Sequence, residues 1–204
     1  MSRTDKILER RKEIYSLLSS LFLGDIPEKF IEDLREGKFG LSGSTDIEEG
    51  LKVMREFVMK RNTLGEAIRD IEDEYSRFIL LSHAAPLTKS EMMGDAEYGK
   101  ISLEVEEKIE KMGYRLRTNT IPADHISALF DFMATLIESS LNGDEELKVS
   151  LKKQEEFLEN EILTWVPESL KKFEGSAEFY GGVARFARGF LAIDRNIVKE
   201  LRLW

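Results

Sequence analysis

Apolar side chains recur at steps of three and four residues along most of the chain, which is the spacing of one helical face. The clearest runs cover residues 14–22, 64–79, 126–137 and 179–190. No sustained alternation of apolar and polar residues, the pattern of a half-buried strand, lies between them. The pattern therefore predicts an all-α protein, a helical bundle of about seven to nine helices.

Residues between these runs carry the signals at which helices begin and end. Gly24 follows the first run and predicts the end of that helix. Thr63 and Glu66 have the spacing of a capping box ahead of the second run. Ser102 is a candidate cap for a later helix, and Pro167 predicts the end of another. These positions set the helix boundaries that we expect.

Two stretches, residues 36–44 and 81–101, interrupt the helical pattern. The first is rich in Gly and Ser and indicates a loop. The second is the longest non-periodic connection, and long ordered loops in compact domains are often functional. With only 4 Pro and 14 Gly in the chain, long flexible linkers are not expected. We therefore expect a single domain over residues 1–204, with 81–101 as a candidate hinge.

Residues 121–126, Ile-Pro-Ala-Asp-His-Ile, place one of only two histidines beside a carboxylate, ahead of the most regular apolar run. Pro122 suits the first helical turn because its missing N–H has no intrahelical partner there. Thr120 is a candidate cap. We therefore expect Asp124 to lie in the first turn, where the helix dipole favours an anion. Such a pair is found both in binding sites and in ordinary capped helices.

Composition narrows the class of protein. The 204 residues are 42% hydrophobic and 34% charged, which is typical of a globular protein with a core. Cysteine is absent, which excludes disulfides and Cys-ligated metals and fits a reducing cytoplasm. The net charge of -9 disfavours nucleic-acid binding and favours cationic partners.

Membrane insertion and export are not expected from the sequence. No apolar run approaches the roughly 18 residues needed to span a bilayer. Arg10 and Arg11 precede an apolar stretch, as in an export signal, but Glu13 and three serines interrupt that stretch. No small-residue cleavage site follows it, so we expect a core helix instead.

Enzyme motifs are weak. Di-iron bundles need Glu-x-x-His, but Leu80 and Pro122 stand three residues before His83 and His125. A zinc site would need both histidines plus carboxylates from separate segments. Neither a Gly-rich phosphate loop nor a nucleophile elbow is present. We expect no metal, and a metal-dependent hydrolase is only a weaker alternative.

Several groups of residues occur in the order of one family's signatures. They are Tyr15-Ser16-Leu17-Leu18 with Leu21-Phe22; Glu74-Tyr75-Ser76-Arg77-Phe78-Ile79 with Pro86 and Ser90-Glu91; Pro122-Ala123-Asp124-His125-Ile126; and Trp165-Val166-Pro167 with Phe179-Tyr180, Phe190-Leu191 and Asp194. This ordered set resembles the TorD/DmsD/NarJ family of cytoplasmic redox-enzyme maturation chaperones. The chain departs from the pattern at Ile121 (an acidic residue in the family), at Glu161 (often histidine) and at Thr88-Lys89, where an aromatic residue is absent.

The resemblance implies an all-helical chaperone without a cofactor. Its partners would be the twin-arginine signal peptide and the apo form of a molybdopterin oxidoreductase subunit, of the dimethyl sulfoxide or nitrate reductase type. Such chaperones hold the apoenzyme back from export until its cofactor is inserted. We expect a monomer or a swapped homodimer. The alternative is a generic helical interaction or regulatory module.

A twin-arginine signal has a cationic start and an apolar middle, so an acidic protein with an apolar groove suits both halves. We expect this groove between the helix that ends at 78–79, the loop 81–101 and the helix after Pro122. Asp124 would pair with a signal arginine, and His125 would bind a peptide carbonyl or report pH near neutrality. The candidate peptide-binding residues are Tyr75, Phe78, Ile79, Pro86, Ser90, Pro122, Asp124 and His125.

Overall fold

The computed structural model describes residues 2–81, 85–115 and 120–203. Within these ranges it contains ten α-helices and two π-helical segments. The α-helices are α1 (Arg3–Leu23), α2 (Glu28–Glu36), α3 (Thr45–Met59), α4 (Leu64–Tyr75), α5 (Lys89–Met93), α6 (Lys100–Lys111), α7 (Ile126–Asn142), α8 (Leu147–Phe157), α9 (Val166–Phe173) and α10 (Phe179–Leu203). The π-helical segments are π1 (Ser76–Leu81) and π2 (Leu158–Ile162).

The all-α prediction is confirmed, with more helices than the pattern predicted. The five-residue α5 is too short to show a helical period, so the sequence pattern does not reveal it. In the described ranges, no helix is long and apolar enough to cross a membrane.

The chain divides into two compact units. The first unit comprises Met1–Ser19, Pro86–Val166 and Asp194–Trp204, and the second comprises Ser20–Ala85 and Pro167–Ile193. Boundaries fall inside α1 and α10, so neither unit is one continuous stretch of chain. Another boundary lies within the candidate hinge. The single domain over residues 1–204 stays a prediction.

Helix α7 supplies much of the core of the first unit. Its apolar stripe is buried as the spacing predicts, including Ile126, Leu129, Phe130, Met133, Leu136 and Ile137. The Phe132 ring meets the Phe157 ring of α8 edge-on, with centroids 4.8 Å apart. Burying one such side chain contributes about 1.5–3 kcal/mol, so this stripe fixes α7 and the segment that leads into it.

A buried polar cluster joins α1 to α10 within the first unit. The guanidinium of Arg11 donates to both carboxylate oxygens of Asp194, at 2.5 and 3.1 Å. The hydroxyl of Tyr15 donates to Asp194 Oδ2 at 2.8 Å, and Arg11 Nη1 donates to Gln154 Oε1 at 2.6 Å. Burial raises the pKa of Tyr15, which therefore stays protonated as a donor. Two residues of the family resemblance, Tyr15 and Asp194, thus help to hold α1 against α10.

A second buried carboxylate caps α10 within the second unit. Glu74 Oε1 accepts the Tyr180 N–H at 2.7 Å, and Oε2 accepts the Glu178 N–H at 3.1 Å. The Tyr180 hydroxyl donates to the Leu21 carbonyl at 3.0 Å. Glu74 therefore satisfies two backbone groups that the first turn of a helix leaves without intrahelical partners.

Some predicted helix ends are confirmed. Helix α1 ends at Leu23, and Gly24 adopts a φ of 83°, the left-handed conformation that glycine tolerates best. Thr63 and Glu66 form both halves of the capping box of α4. Local residue pairs fix these ends, so the sequence alone reveals them.

Two other predicted ends are wrong. Gly99, not Ser102, precedes α6; Ser102 lies inside that helix, buried, and its hydroxyl accepts the Ala123 N–H at 3.1 Å. Pro167 lies in the first turn of α9, so it begins a helix rather than ending one. Proline suits that turn for the reason given above.

Candidate peptide-binding site

Hydrogen bonds join two segments of the first unit, 87–90 and 122–126, which we call the loop clamp. The Ile126 N–H donates to the Leu87 carbonyl at 2.8 Å, and the Lys89 N–H donates to the Asp124 carbonyl at 3.2 Å. Thr88 and His125 pair between these bonds as an isolated antiparallel bridge. The clamp thus brings four candidate residues together: Ser90, Pro122, Asp124 and His125.

Asp124 lies at the centre of the loop clamp with no exposed surface. Its Oδ2 accepts the Ser90 N–H at 2.7 Å and the Ser90 hydroxyl at 2.5 Å. Because Ser90 belongs to the first turn of α5, the carboxylate faces the positive end of that helix. Thr88 caps the same helix by accepting the Glu91 N–H. Asp124 therefore anchors α5 to the segment before α7.

The prediction that Asp124 lies in the first turn of α7 is wrong. That helix begins at Ile126, and its cap is His125 rather than Thr120. Pro122, which is buried, instead starts a separate turn closed by the His125 N–H on the Pro122 carbonyl at 3.0 Å. The clamp explains the late start, because its bonds hold residues 122–125 outside the helix.

The imidazole of His125 lies in the loop clamp and is partly exposed. Its Nδ1 accepts the Ser127 N–H at 3.2 Å, so the neutral ring carries its proton on Nε2. Burial lowers the pKa of His125 to about 4, although the Asp124 charge opposes that shift. The prediction that His125 reports pH near neutrality is therefore wrong. At pH 7 the ring is an uncharged hydrogen-bond donor.

Lys89 extends from the loop clamp to a buried carboxylate. Its Nζ lies 3.0 Å from Glu161 Oε2, and Lys108 Nζ lies 2.5 Å from Glu161 Oε1. Glu161 is only 2% exposed and belongs to π2. Its backbone carbonyl accepts the Trp165 indole N–H at 2.8 Å. The sequence marked Glu161 only as a departure from a family pattern and gave no sign of this connection.

The remaining candidates, Tyr75, Phe78, Ile79 and Pro86, lie outside the loop clamp. Pro86, partly exposed, directly precedes the clamp in the first unit. Tyr75, Phe78 and Ile79 belong to the second unit. Tyr75 donates to the Phe22 carbonyl at 3.4 Å, and burial raises its pKa. The groove expected between the two sets stays a prediction.

Segment π1 carries an exposed apolar end that the periodicity did not single out. Leu80 and Leu81 are 56% and 77% exposed, whereas Ile79 beside them is buried. Phe78 is partly exposed. The signal was available, since Leu80 and Leu81 extend the apolar run beyond the helical stripe. These side chains add apolar surface next to predicted site residues.

The described residues contain no group of three or more His, Asp or Glu side chains placed to hold a metal ion. The zinc alternative also involved His83, which lies outside the described residues. The Nδ1 atom of His125 accepts the Ser127 N–H, so that nitrogen is already used in a hydrogen bond. Within the described residues, the loop clamp is therefore held by hydrogen bonds.

Known proteins resemble this chain over nearly its full length. A model of the nitrate reductase delta subunit family matches residues 42–170. "Chaperone protein TorD" of Vibrio cholerae serotype O1 (strain ATCC 39541 / Classical Ogawa 395 / O395) is 26% identical over 215 residues, covering 96% of each chain. The protein of the same name from Vibrio parahaemolyticus is 24% identical over 200 residues, covering 91% of this chain and 93% of the other. This chain therefore belongs to the nitrate reductase delta subunit family, that is, to the TorD/DmsD/NarJ redox-enzyme maturation chaperones, which are not enzymes.

Proposed function

We propose that this chaperone binds the twin-arginine signal peptide of a molybdoenzyme of the dimethyl sulfoxide or nitrate reductase type. It binds the apo form of that enzyme subunit in the cytoplasm and delays its export until the cofactor is inserted. Family membership supports the general role, and the loop clamp supports the peptide-binding part of it.

The observation that carries this proposal is the hydrogen bond from the Ser127 N–H to His125 Nδ1, which leaves the proton of the neutral ring on Nε2. A backbone carbonyl of an extended peptide accepts hydrogen bonds, and the Nε2–H of His125 provides one. Because the pKa of His125 is about 4, the ring is neutral at pH 7 and does not repel a cationic peptide. A histidine with an ordinary pKa of about 6.5 would be partly charged at mildly acidic pH.

The acidic charge of this protein favours the cationic start of the signal, and exposed apolar side chains favour its apolar middle. The net charge of -9 attracts a cationic peptide and raises its association rate, an effect that salt screens. Within the second unit, Leu80 and Leu81 are exposed apolar side chains that a partner can bury. Burying such surface contributes about 25 cal/mol per Å². The peptide's arginines thus set the rate of encounter, and its apolar stretch supplies affinity.

Asp124 acts in this proposal through the loop clamp. Its carboxylate has no exposed surface and is bonded to Ser90, so direct pairing with a signal arginine is not favoured. It holds the start of α5 against the segment that carries His125. The proposed contact with the peptide is therefore made by His125, and Asp124 fixes the position of that ring.

Binding of a synthetic peptide tests this proposal. The peptide has two adjacent arginines followed by an apolar stretch, and its control has two lysines instead; calorimetry measures both affinities. His125→Asn keeps a side chain that caps helices well but removes the Nε2 donor. We expect it to bind the arginine peptide about tenfold more weakly, a difference of roughly 1.4 kcal/mol, with unchanged thermal stability.

His125→Ala is the comparison variant, because it removes both the donor and the cap. It should lose the same binding plus about 1 kcal/mol of stability. If His125→Asn binds as tightly as the wild type, the ring does not contact the peptide. If the wild type binds neither peptide, the proposed function is wrong.

A further inference from the structure

Lys89 has its backbone inside the loop clamp and its side chain on a carboxylate outside it. Its N–H donates to the Asp124 carbonyl at 3.2 Å, and its neighbours Thr88 and Ser90 contact His125 and Asp124. Its ammonium lies 3.0 Å from buried Glu161. The side chain of Lys89 therefore connects the clamp to π2.

Two lysines hold Glu161, and only one of them touches the loop clamp. Lys108 reaches Glu161 from α6, and its side chain is 47% exposed; the Lys89 side chain is 18% exposed. A carboxylate as buried as that of Glu161 needs a charged partner to offset its lost hydration. Either lysine meets that need, so the requirement for a partner does not explain why Lys89 is there.

The local structure of α5 does not explain Lys89 either. Lys89 is the first residue of that helix, where the dipole disfavours a cation by about 0.3–1 kcal/mol. A residue that is unfavourable for its own helix in this way indicates that its side chain has a role in contacts outside that helix. Glu161 belongs to a π-helical segment, and such widened turns are frequent at functional sites.

We infer that Lys89 and Glu161 are a positioning pair for peptide binding. The pair holds the start of α5 in place, and with it the Thr88–His125 bridge that sets the imidazole. Neither side chain contacts the peptide in this scheme; both act through His125. This role rests on the proposed function and adds to it residues that fix the geometry of the contact.

Two matched variants test the positioning pair. Lys89→Met and Lys108→Met each remove one charge and one partner from the same carboxylate. We expect Lys89→Met to bind the twin-arginine peptide about tenfold more weakly. Lys108→Met should stay within about twofold of the wild type, and Lys89→Arg, which keeps the ion pair, should restore binding. Equal losses in both methionine variants would show that Glu161 merely needs charge, and would overturn the inference.

A double-variant cycle shows whether Lys89 acts through His125. In a His125→Asn background, adding Lys89→Met should cause no further loss of binding, because residues that act as one unit are not additive. Additive losses would contradict the positioning role. Circular dichroism of every variant should match the wild type.

Amide hydrogen exchange tests the inference without any peptide. Lys89→Met should speed exchange at Ser90 and Ile126, whose N–H groups hold the clamp together, and Lys108→Met should not. Unchanged exchange at both amides would overturn the inference. A wild type that binds no peptide would instead reject the proposed function, while the exchange result still decides the positioning role.

Discussion

Glu74 and Asp124 are both buried carboxylates that cap a helix distant in sequence, yet they use their oxygens differently. Glu74, in the second unit, gives one oxygen to the Tyr180 N–H and the other to the Glu178 N–H. Asp124, in the first unit, accepts both of its hydrogen bonds from Ser90 on Oδ2. Its Oδ1 has no hydrogen-bond partner among the described residues.

This difference separates a structural carboxylate from one placed at a candidate site. Glu74 holds the 25-residue α10, and both its oxygens are committed to that task. Asp124 holds the five-residue α5 beside the partly exposed His125. Only its Oδ2 accepts hydrogen bonds from the described residues. Both residues belong to the family resemblance, so membership in a signature does not by itself indicate a contact with a partner.

The amide replacement Glu74→Gln should have the largest effect on stability. A glutamine offers one oxygen, and its NH₂ group faces a second backbone donor, so one buried N–H loses its partner. We expect the free energy of unfolding to fall by about 3 kcal/mol in urea denaturation. Glu72→Gln, on the exposed face of the same helix, is the control and should change it by less than about 0.5 kcal/mol. Similar values for both would contradict the capping role.

The corresponding replacement Asp124→Asn should cost much less than Asp124→Ala. Asparagine keeps the one oxygen that Ser90 uses, and its NH₂ group takes the place of Oδ1. We expect a loss of about 0.5 kcal/mol for the asparagine variant and about 2 kcal/mol for the alanine variant, which strands the Ser90 donors. Urea denaturation measures both. If Asp124→Asn is as destabilising as Glu74→Gln, the two carboxylates do not differ as described.

The loop clamp should weaken at acidic pH. Burial lowers the pKa of His125 from 6.5 to about 4, so between these values the unfolded chain binds more protons than the folded one. Stability contributed by neutral His125 is present above pH 6.5 and is lost as pH falls towards 4. Between pH 7 and pH 5, the wild type should lose about 2 kcal/mol more than His125→Asn in urea denaturation. Equal losses would show that the ring is not held neutral.

Features set by neighbouring residues were predictable from the sequence. The apolar stripe of α7, the end of α1 at Gly24 and the capping box at Thr63 each depend on spacings of a few residues. Helical spacing therefore predicted the fold class and the main buried faces. The same local rules wrongly predicted that Pro122 lies in the first turn of a helix. They take no account of the hydrogen bonds between distant segments that form the loop clamp.

Features set by distant residues were not predictable. The start of α7 depends on the Leu87 carbonyl, 39 residues before Ile126, and the carboxylate of Glu161 meets Lys89 and Lys108 only in the folded unit. The widening to π1 gives no periodic signal, so the run through Phe78 and Ile79 resembled a continued α-helix. The sequence thus indicated the segment around His125, while the contacts that hold the ring come from the tertiary structure.

The make-up of the first unit has a consequence for how a new molecule matures. This unit combines Met1–Ser19 with Pro86–Val166 and Asp194–Trp204, and Arg11 near its beginning is paired with Asp194. During translation, Arg11 leaves the ribosome long before Asp194 has been made. The guanidinium of Arg11 stays hydrated until Asp194 has been made. The two residues are 183 positions apart, so a long loop must close before they pair. A nascent chain therefore cannot complete this unit until Asp194 of α10 has been synthesised.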